Sequence, residues 1–114
     1  MLLEARKFLF DIQEAAKLVR TFTSGRSFTD YQADPMLRSA VERQFEVMGE
    51  ALNKLAKLDP ATASRVSDYR RIIAFRNVLI HGYDSIQDDV VWGILETGLP
   101  ELVQNVANLL HEED

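Results

Sequence analysis

Within eight consecutive residues, Arg76-Asn77-Val78-Leu79-Ile80-His81-Gly82-Tyr83, the chain places a guanidinium, a carboxamide, an imidazole and a phenol. An arginine carries a fixed cation whose N–H fork matches two phosphate oxygens, and a histidine moves protons near neutral pH. Together they suit cleavage of a phosphodiester without a metal. In RNA, the ribose 2′-hydroxyl attacks the adjacent phosphorus, negative charge builds on the phosphoryl oxygens, and the 5′-oxygen leaves. Arg76 would stabilise that charge and His81 would transfer a proton, with Asn77 as a third candidate catalytic residue. No metal is expected, because the chain has no Cys and only one other His, His111, in the acidic tail. Phosphate-binding glycine loops of the Walker or Rossmann type are absent. The plainer alternative is that Arg76 and His81 make ion-pair or capping contacts, Asn77 bonds backbone at a helix end, and Tyr83 is a core residue with its hydroxyl at the surface.

Spacing limits what one helix can do with these groups. Asn77 and His81 are four residues apart and share a face, whereas Arg76 and His81 are five apart and project about 140° from one another. They converge if the helix loosens before Gly82, or if a second copy of the helix supplies the missing side of the site. Two chains about a two-fold axis would bring two His81 side chains to one groove, giving both a general acid and a general base. A homodimer is therefore expected.

The elements that must position the motif read as helices. Ala5, Phe8, Ile12, Ala15, Val19 and Phe22 recur at steps of three and four, predicting a first helix over about residues 3–22. Ser24-Gly25 breaks it, and Ser27 with Asp30 marks a short capped turn. Asp34-Pro35 is a start signal for a second long helix reaching about Leu58, with Leu37, Val41, Met48, Leu52 and Leu55 facing inward. Asp59-Pro60 repeats the signal for a short segment interrupted by Ser64, Ser67 and Asp68. The motif helix follows, and Tyr69, Ile72, Ile73, Phe75, Val78, Leu79 and Ile80 predict the most buried helix of the set. Gly82 should end it in a left-handed conformation. A last helix starts near Asp88 or Asp89, with Val90, Ile94, Leu95, Leu102, Val103, Val106 and Leu110 inward and a bend or split at Gly98 and Pro100. No strand alternation or internal repeat is present, so the fold class is all-α, an antiparallel four- to five-helix bundle.

Composition bounds the rest. The 114 residues, 46% hydrophobic and 27% charged, fit a single domain spanning 1–114, and no apolar run approaches the roughly 20 residues that cross a bilayer. With no signal-peptide pattern at Met1-Leu2-Leu3 and no cysteine, a cytoplasmic location without membrane partners is expected. The net charge of −5 does not suit a simple nucleic-acid binder. Its distribution does more: residues 1–83 hold all 13 Lys and Arg against 10 acids, and residues 84–114 hold 8 acids with neither cation. Arg65, Arg70, Arg71 and Arg76 stand against Asp68 alone between positions 65 and 83, enough for a local basic surface or, more plainly, for a solvated helix face.

At Arg76-Asn77, four further residues and His81, with Gly82-Tyr83 completing the longer pattern, the chain resembles the HepT-like toxins of the HEPN superfamily. Ala40-Val41-Glu42-Arg43 with Met48-Gly49-Glu50-Ala51 is similar to the second helix of that family, and Val91-Trp92 with Leu99-Pro100 to its last. The resemblance implies an all-helical homodimer with its cleft at the dimer interface and endoribonuclease activity needing no cofactor. It also implies a cognate minimal nucleotidyltransferase antitoxin that transfers AMP from ATP to Tyr83. A phosphate-bearing group there would occlude RNA and engage the cation meant for its backbone. Arg43, Glu50 and Arg71 are candidate cleft-lining residues. Two other readings compete: a non-catalytic helical module that binds, and is modified by, the nucleotidyltransferase, and a purely structural dimerisation protein.

Overall fold

Three helix starts follow residues whose side chains satisfy free backbone N–H groups. In a computed structural model that describes residues 1–112, the chain forms α1 (Leu3–Thr23), α2 (Phe28–Ala33), α3 (Pro35–Leu58), α4 (Pro60–Ala63), α5 (Tyr69–His81), α6 (Asp88–Gly93) and α7 (Leu99–Leu110). Asp34 Oδ1 accepts from Leu37 N at 3.1 Å and Asp59 Oδ1 from Thr62 N at 3.2 Å, each beside a proline at the first helical position. Ser27 and Asp30 form a reciprocal capping box that opens α2, so the expected capped turn continues into a six-residue helix. Gly25, at φ 73°, supplies the left-handed residue that turns the chain between α1 and α2.

α1 and α3 pack along each other and form the centre of the core, with α7 covering the other side of α1. Leu9, Ile12, Val19, Val41, Met48, Leu52, Leu55 and Val106 are fully buried there, and each such side chain contributes about 1.5–3 kcal/mol of transfer free energy. Arg6 Nη2 donates to the carbonyl of Leu110 at 2.7 Å, tying the start of α1 to the end of α7. On the opposite side Tyr31 and Phe28 of α2 pack on Trp92 of α6, with ring centroids 5.4 and 6.1 Å apart. All-helical architecture is thus as the apolar spacing predicts, and no strand occurs among the described residues.

Some expectations differ in detail. Leu79 is the one fully buried residue of α5, whereas Ile72, Ile73 and Phe75 are half-buried and Val78 and Ile80 remain 42% and 38% exposed. The helix is not the most buried one, because it packs chiefly against α3 and its apolar circumference exceeds the one neighbour that covers it. Gly82 ends α5 at φ −115°, not in the left-handed region; its N–H still bonds the Val78 carbonyl at 2.8 Å and a short 3₁₀ turn, Tyr83–Ser85, follows. The last α-helix is interrupted ahead of Gly98-Pro100, as the bend or split expected there requires, but without a break in helical bonding. A π-helical segment, Ile94–Gly98, joins α6 to α7 by bonding Leu99 N–H to the Ile94 carbonyl, so helical bonding continues across a proline that cannot donate. Within that run Val91 is buried and Val90 is exposed, the reverse of the expected inward Val90.

α5 is held at its start by a side chain rather than by a cap. Asn105 of α7 accepts from Ser67 N at 2.8 Å and donates to the Arg65 carbonyl at 3.1 Å, fixing the link between α4 and α5. Asp68, at φ 58°, then turns the chain into α5 in a conformation that Asp tolerates better than most residues.

Candidate functional site

Arg76 leaves α5 toward α3, and a glycine makes room for it. A Cβ built on Gly49 would lie 2.3 Å from Arg76 Cβ, 2.9 Å from its Cγ and 3.2 Å from the Ile72 carbonyl, so only the absence of a side chain at 49 allows the two helices to approach this closely. Phe45 and Phe75, 5.7 Å apart and edge-to-face, complete the same helix contact.

The guanidinium is then fixed from two sides. Arg76 Nη1 donates to Asn77 Oδ1 at 2.9 Å and Nη2 to Glu50 Oε2 at 3.3 Å. Nε is buried and has no partner among the described residues. The Arg76 side chain is 22% exposed and that of Glu50 48%, so the pair is open enough for an incoming anion to compete for the fork. Lys54 Nζ lies 3.9 Å from the other Glu50 oxygen. Glu50 therefore balances two cations and holds one of them in place.

His81 sits apart from this cluster. It is the last residue of α5, exposed, and its side chain makes no hydrogen bond or ion pair among the described residues. α-Helical bonding runs through Gly82 N–H to Val78 O without interruption, so the helix does not loosen before Gly82. Arg76 and His81 consequently diverge by the 140° or so of an ideal helix. Tyr83, one residue beyond the helix end, is 81% exposed, with its hydroxyl free of protein partners among the described residues, and is not a core residue.

The three candidate cleft residues separate. Arg43 and Glu50 line a shallow cavity of about 290 Å³ between α1 and α3, together with Lys7, Asp11 and Lys54. Arg43 pairs with Glu46 at 3.3 Å. Arg71 lies elsewhere, at the rim of a larger apolar groove of about 570 Å³ between α5 and the α6–α7 run, floored by Phe45, Ile72, Phe75 and Ile94. The structure thus joins Arg76, Asn77 and Glu50, sets Arg43 on the cavity that Glu50 also lines, and leaves Arg71 on another surface. The part played by Gly49 was not read from sequence, although a glycine inside a strongly periodic helix is itself a sign of close backbone approach. Among the described residues no cluster of three His, Asp or Glu could hold a metal ion.

Comparison with known proteins identifies the family. The ribonuclease HepT-like family matches residues 12–109. "Putative RNase TTE0752" of Caldanaerobacter subterraneus subsp. tengcongensis is 31% identical over 95% of this chain and 96% of its own. "Probable ribonuclease HepT" of Thermococcus cleftensis is 31% identical over 85% of this chain and 87% of its own. "Putative RNase MJ0127" of Methanocaldococcus jannaschii is 28% identical over 96% and 89%. No solved structure matches the chain. A match over most of the length, together with the Arg76–His81 motif on a helix of an all-α fold, places the chain in the ribonuclease HepT-like family.

Proposed function

We propose that this chain is a metal-independent endoribonuclease whose site is completed by a second copy, and that it acts as the toxin of a toxin-antitoxin pair. The observation that carries this reading is the divergence of Arg76 and His81 on an unbroken α5. Arg76 is braced by Glu50 and Asn77 while His81 faces solvent, so neither can complete the other within one chain. A two-fold axis beside α5 would cover Ile80, four residues on from Arg76 and on its side of the helix, whose 38% exposure otherwise leaves apolar area in water.

In the resulting cleft, the Arg76 fork would hold two non-bridging phosphate oxygens and stabilise the charge that develops on them. One His81 would take the proton of the 2′-hydroxyl as its oxygen bonds to phosphorus. The second His81 would give a proton to the 5′-oxygen as the P–O5′ bond breaks. The products are a 2′,3′-cyclic phosphate and a 5′-hydroxyl. Asn77, bonded to Arg76 and on the face of His81, would orient the phosphate between them.

Regulation would act on Tyr83. A nucleotidyltransferase antitoxin would direct the Tyr83 hydroxyl at the α-phosphate of ATP, forming a phosphodiester to AMP and releasing pyrophosphate. The exposure of Tyr83, two residues from His81, supports this assignment. The bound nucleotide would add negative charge at the cleft and compete with RNA for Arg76.

The test is RNA incubation in EDTA followed by mass analysis of the ends. Cyclic phosphate ends support the reaction; a requirement for a divalent ion, or 3′-hydroxyl ends, would overturn it. Intact-mass measurement after incubation with the partner enzyme and ATP should add AMP, and persistence of that addition in Tyr83→Phe would move the switch elsewhere.

A further inference from the structure

The face of α5 that carries Asn77 and His81 continues back to the start of the helix. Arg70, Ala74, Asn77 and His81 follow at steps of four, three and four, which puts them in one row, and all four are exposed. At the far end of the row Arg70 is braced. Its Nε donates to the Tyr69 hydroxyl at 3.0 Å, and its guanidinium carbon lies 5.5 Å from the centre of the Tyr69 ring. Tyr69 itself is half-buried and packed against the core, so the brace is anchored.

Of the other arginines of this region, Arg65 is committed to Glu112 and Arg76 to Glu50, and Arg71 lies on the groove beside α6. Arg70 has no acidic partner among the described residues, and both of its Nη groups are unpaired. A guanidinium tethered through Nε with its two outer nitrogens free presents the fork that grips a phosphate through two parallel hydrogen bonds. Tethering also reduces the side-chain freedom lost on binding.

We propose that Arg70, braced by Tyr69, is a phosphate-binding subsite for the RNA strand, distinct from the scissile phosphate; this rests on the ribonuclease reading of the site. The helical rise separates Arg70 from His81 by about 16 Å along α5, so Arg70 takes a different phosphate of the same strand. The exposed Asn77 and the small Ala74 between them leave the path along the row open. The enzyme then holds RNA through the length of α5, and short RNAs that cannot reach Arg70 bind less tightly.

The experiment uses full-length protein and an uncleavable 2′-O-methyl oligoribonucleotide, with binding followed by fluorescence anisotropy across a salt series. Arg70→Ala should weaken binding about tenfold and reduce the slope of log K against log salt by about 1. Arg70→Lys should recover only part of the loss, because it restores charge without the fork. In cleavage assays KM should rise by a similar factor while kcat moves far less, and the advantage of long over short substrates should shrink. Equal affinity and slope in wild type and Arg70→Ala would overturn the subsite. Arg70-dependent binding without any cleavage would keep the subsite and remove the catalytic reading. Cleavage with an Arg70-independent KM would do the reverse.

Discussion

Arg76 occupies the space that Gly49 leaves empty: a Cβ on residue 49 would stand 2.3 Å from Arg76 Cβ, closer than two carbons without a bond between them can lie. The fork of Arg76 is thus aimed by a backbone contact between α3 and α5 as well as by its bonds to Glu50 and Asn77. Gly49→Ala should separate the helices. A loss of about 1–3 kcal/mol in stability is expected from overpacking, read as a lower midpoint in chemical denaturation. Cleavage measured where the variant is still folded should fall as well, since Arg76 moves with α5.

Glu50 should matter more for function than for folding. The Glu50–Arg76 pair is partly open to water, so Glu50→Gln is expected to change stability by less than about 1 kcal/mol. Without the carboxylate, phosphate no longer competes with an anion for the fork, but the fork is also less well held. A changed KM for RNA at nearly constant unfolding midpoint is the expected signature, checked by steady-state kinetics beside thermal melts.

The Tyr31 hydroxyl is buried with no hydrogen-bond partner among the described residues, and burial followed by the nearby Glu42 and Asp88 charges pushes its ionisation well above the usual tyrosine value. Tyr31→Phe removes a desolvated polar atom while keeping the ring against Trp92. It should therefore stabilise the fold by about 1 kcal/mol or leave it unchanged. Differential scanning calorimetry would reveal the contrary result, a clear loss.

Glu42 gives a dependence on pH. Burial, and then the Asp88 carboxylate, raise its pKa above the ordinary 4.5, against the opposing effect of Arg38. The folded protein therefore binds the proton more tightly than the unfolded chain, so stability falls as pH rises from 4.5 through the raised value, and the cost persists at neutral pH. Glu42→Gln should raise the melting temperature at pH 7 and lose that advantage below about pH 4.5.

Much of the fold was legible because caps and apolar spacing are local. Asp34-Pro35 marks the first turn of α3, and Leu37, Val41, Met48, Leu52 and Leu55 are all buried as their spacing requires. The burial of α5 was not legible. Periodicity reports how much apolar surface a helix carries, whereas Val78 and Ile80 stay exposed because only α3 covers the helix closely. Position along the sequence likewise gave Arg76, Asn77 and His81 as a group but not their partners. The Arg76–Glu50 bond and the Gly49 contact each span more than 20 residues and depend on how α3 meets α5. Arg71, close in sequence to the motif, lies on the groove beside α6 instead.

Assembly follows from the same geometry. With Arg76 and His81 diverging on an unbroken α5, a two-chain site calls for a particle of twice the 13.0 kDa chain mass in light scattering. Charged substitution of the exposed Ile80, Ile80→Glu, should reduce it to single chains and lower cleavage with it. A stable monomer that cleaves RNA at the full rate would rule out the shared cleft.

The most direct measurement compares RNA cleavage in EDTA by wild type and His81→Ala at matched folded concentration. His81 is exposed and its side chain bonds nothing among the described residues, so the substitution should leave the fold intact. A loss of about 10²- to 10⁴-fold in rate is expected if His81 transfers protons in the reaction. An undiminished rate in His81→Ala would contradict the account.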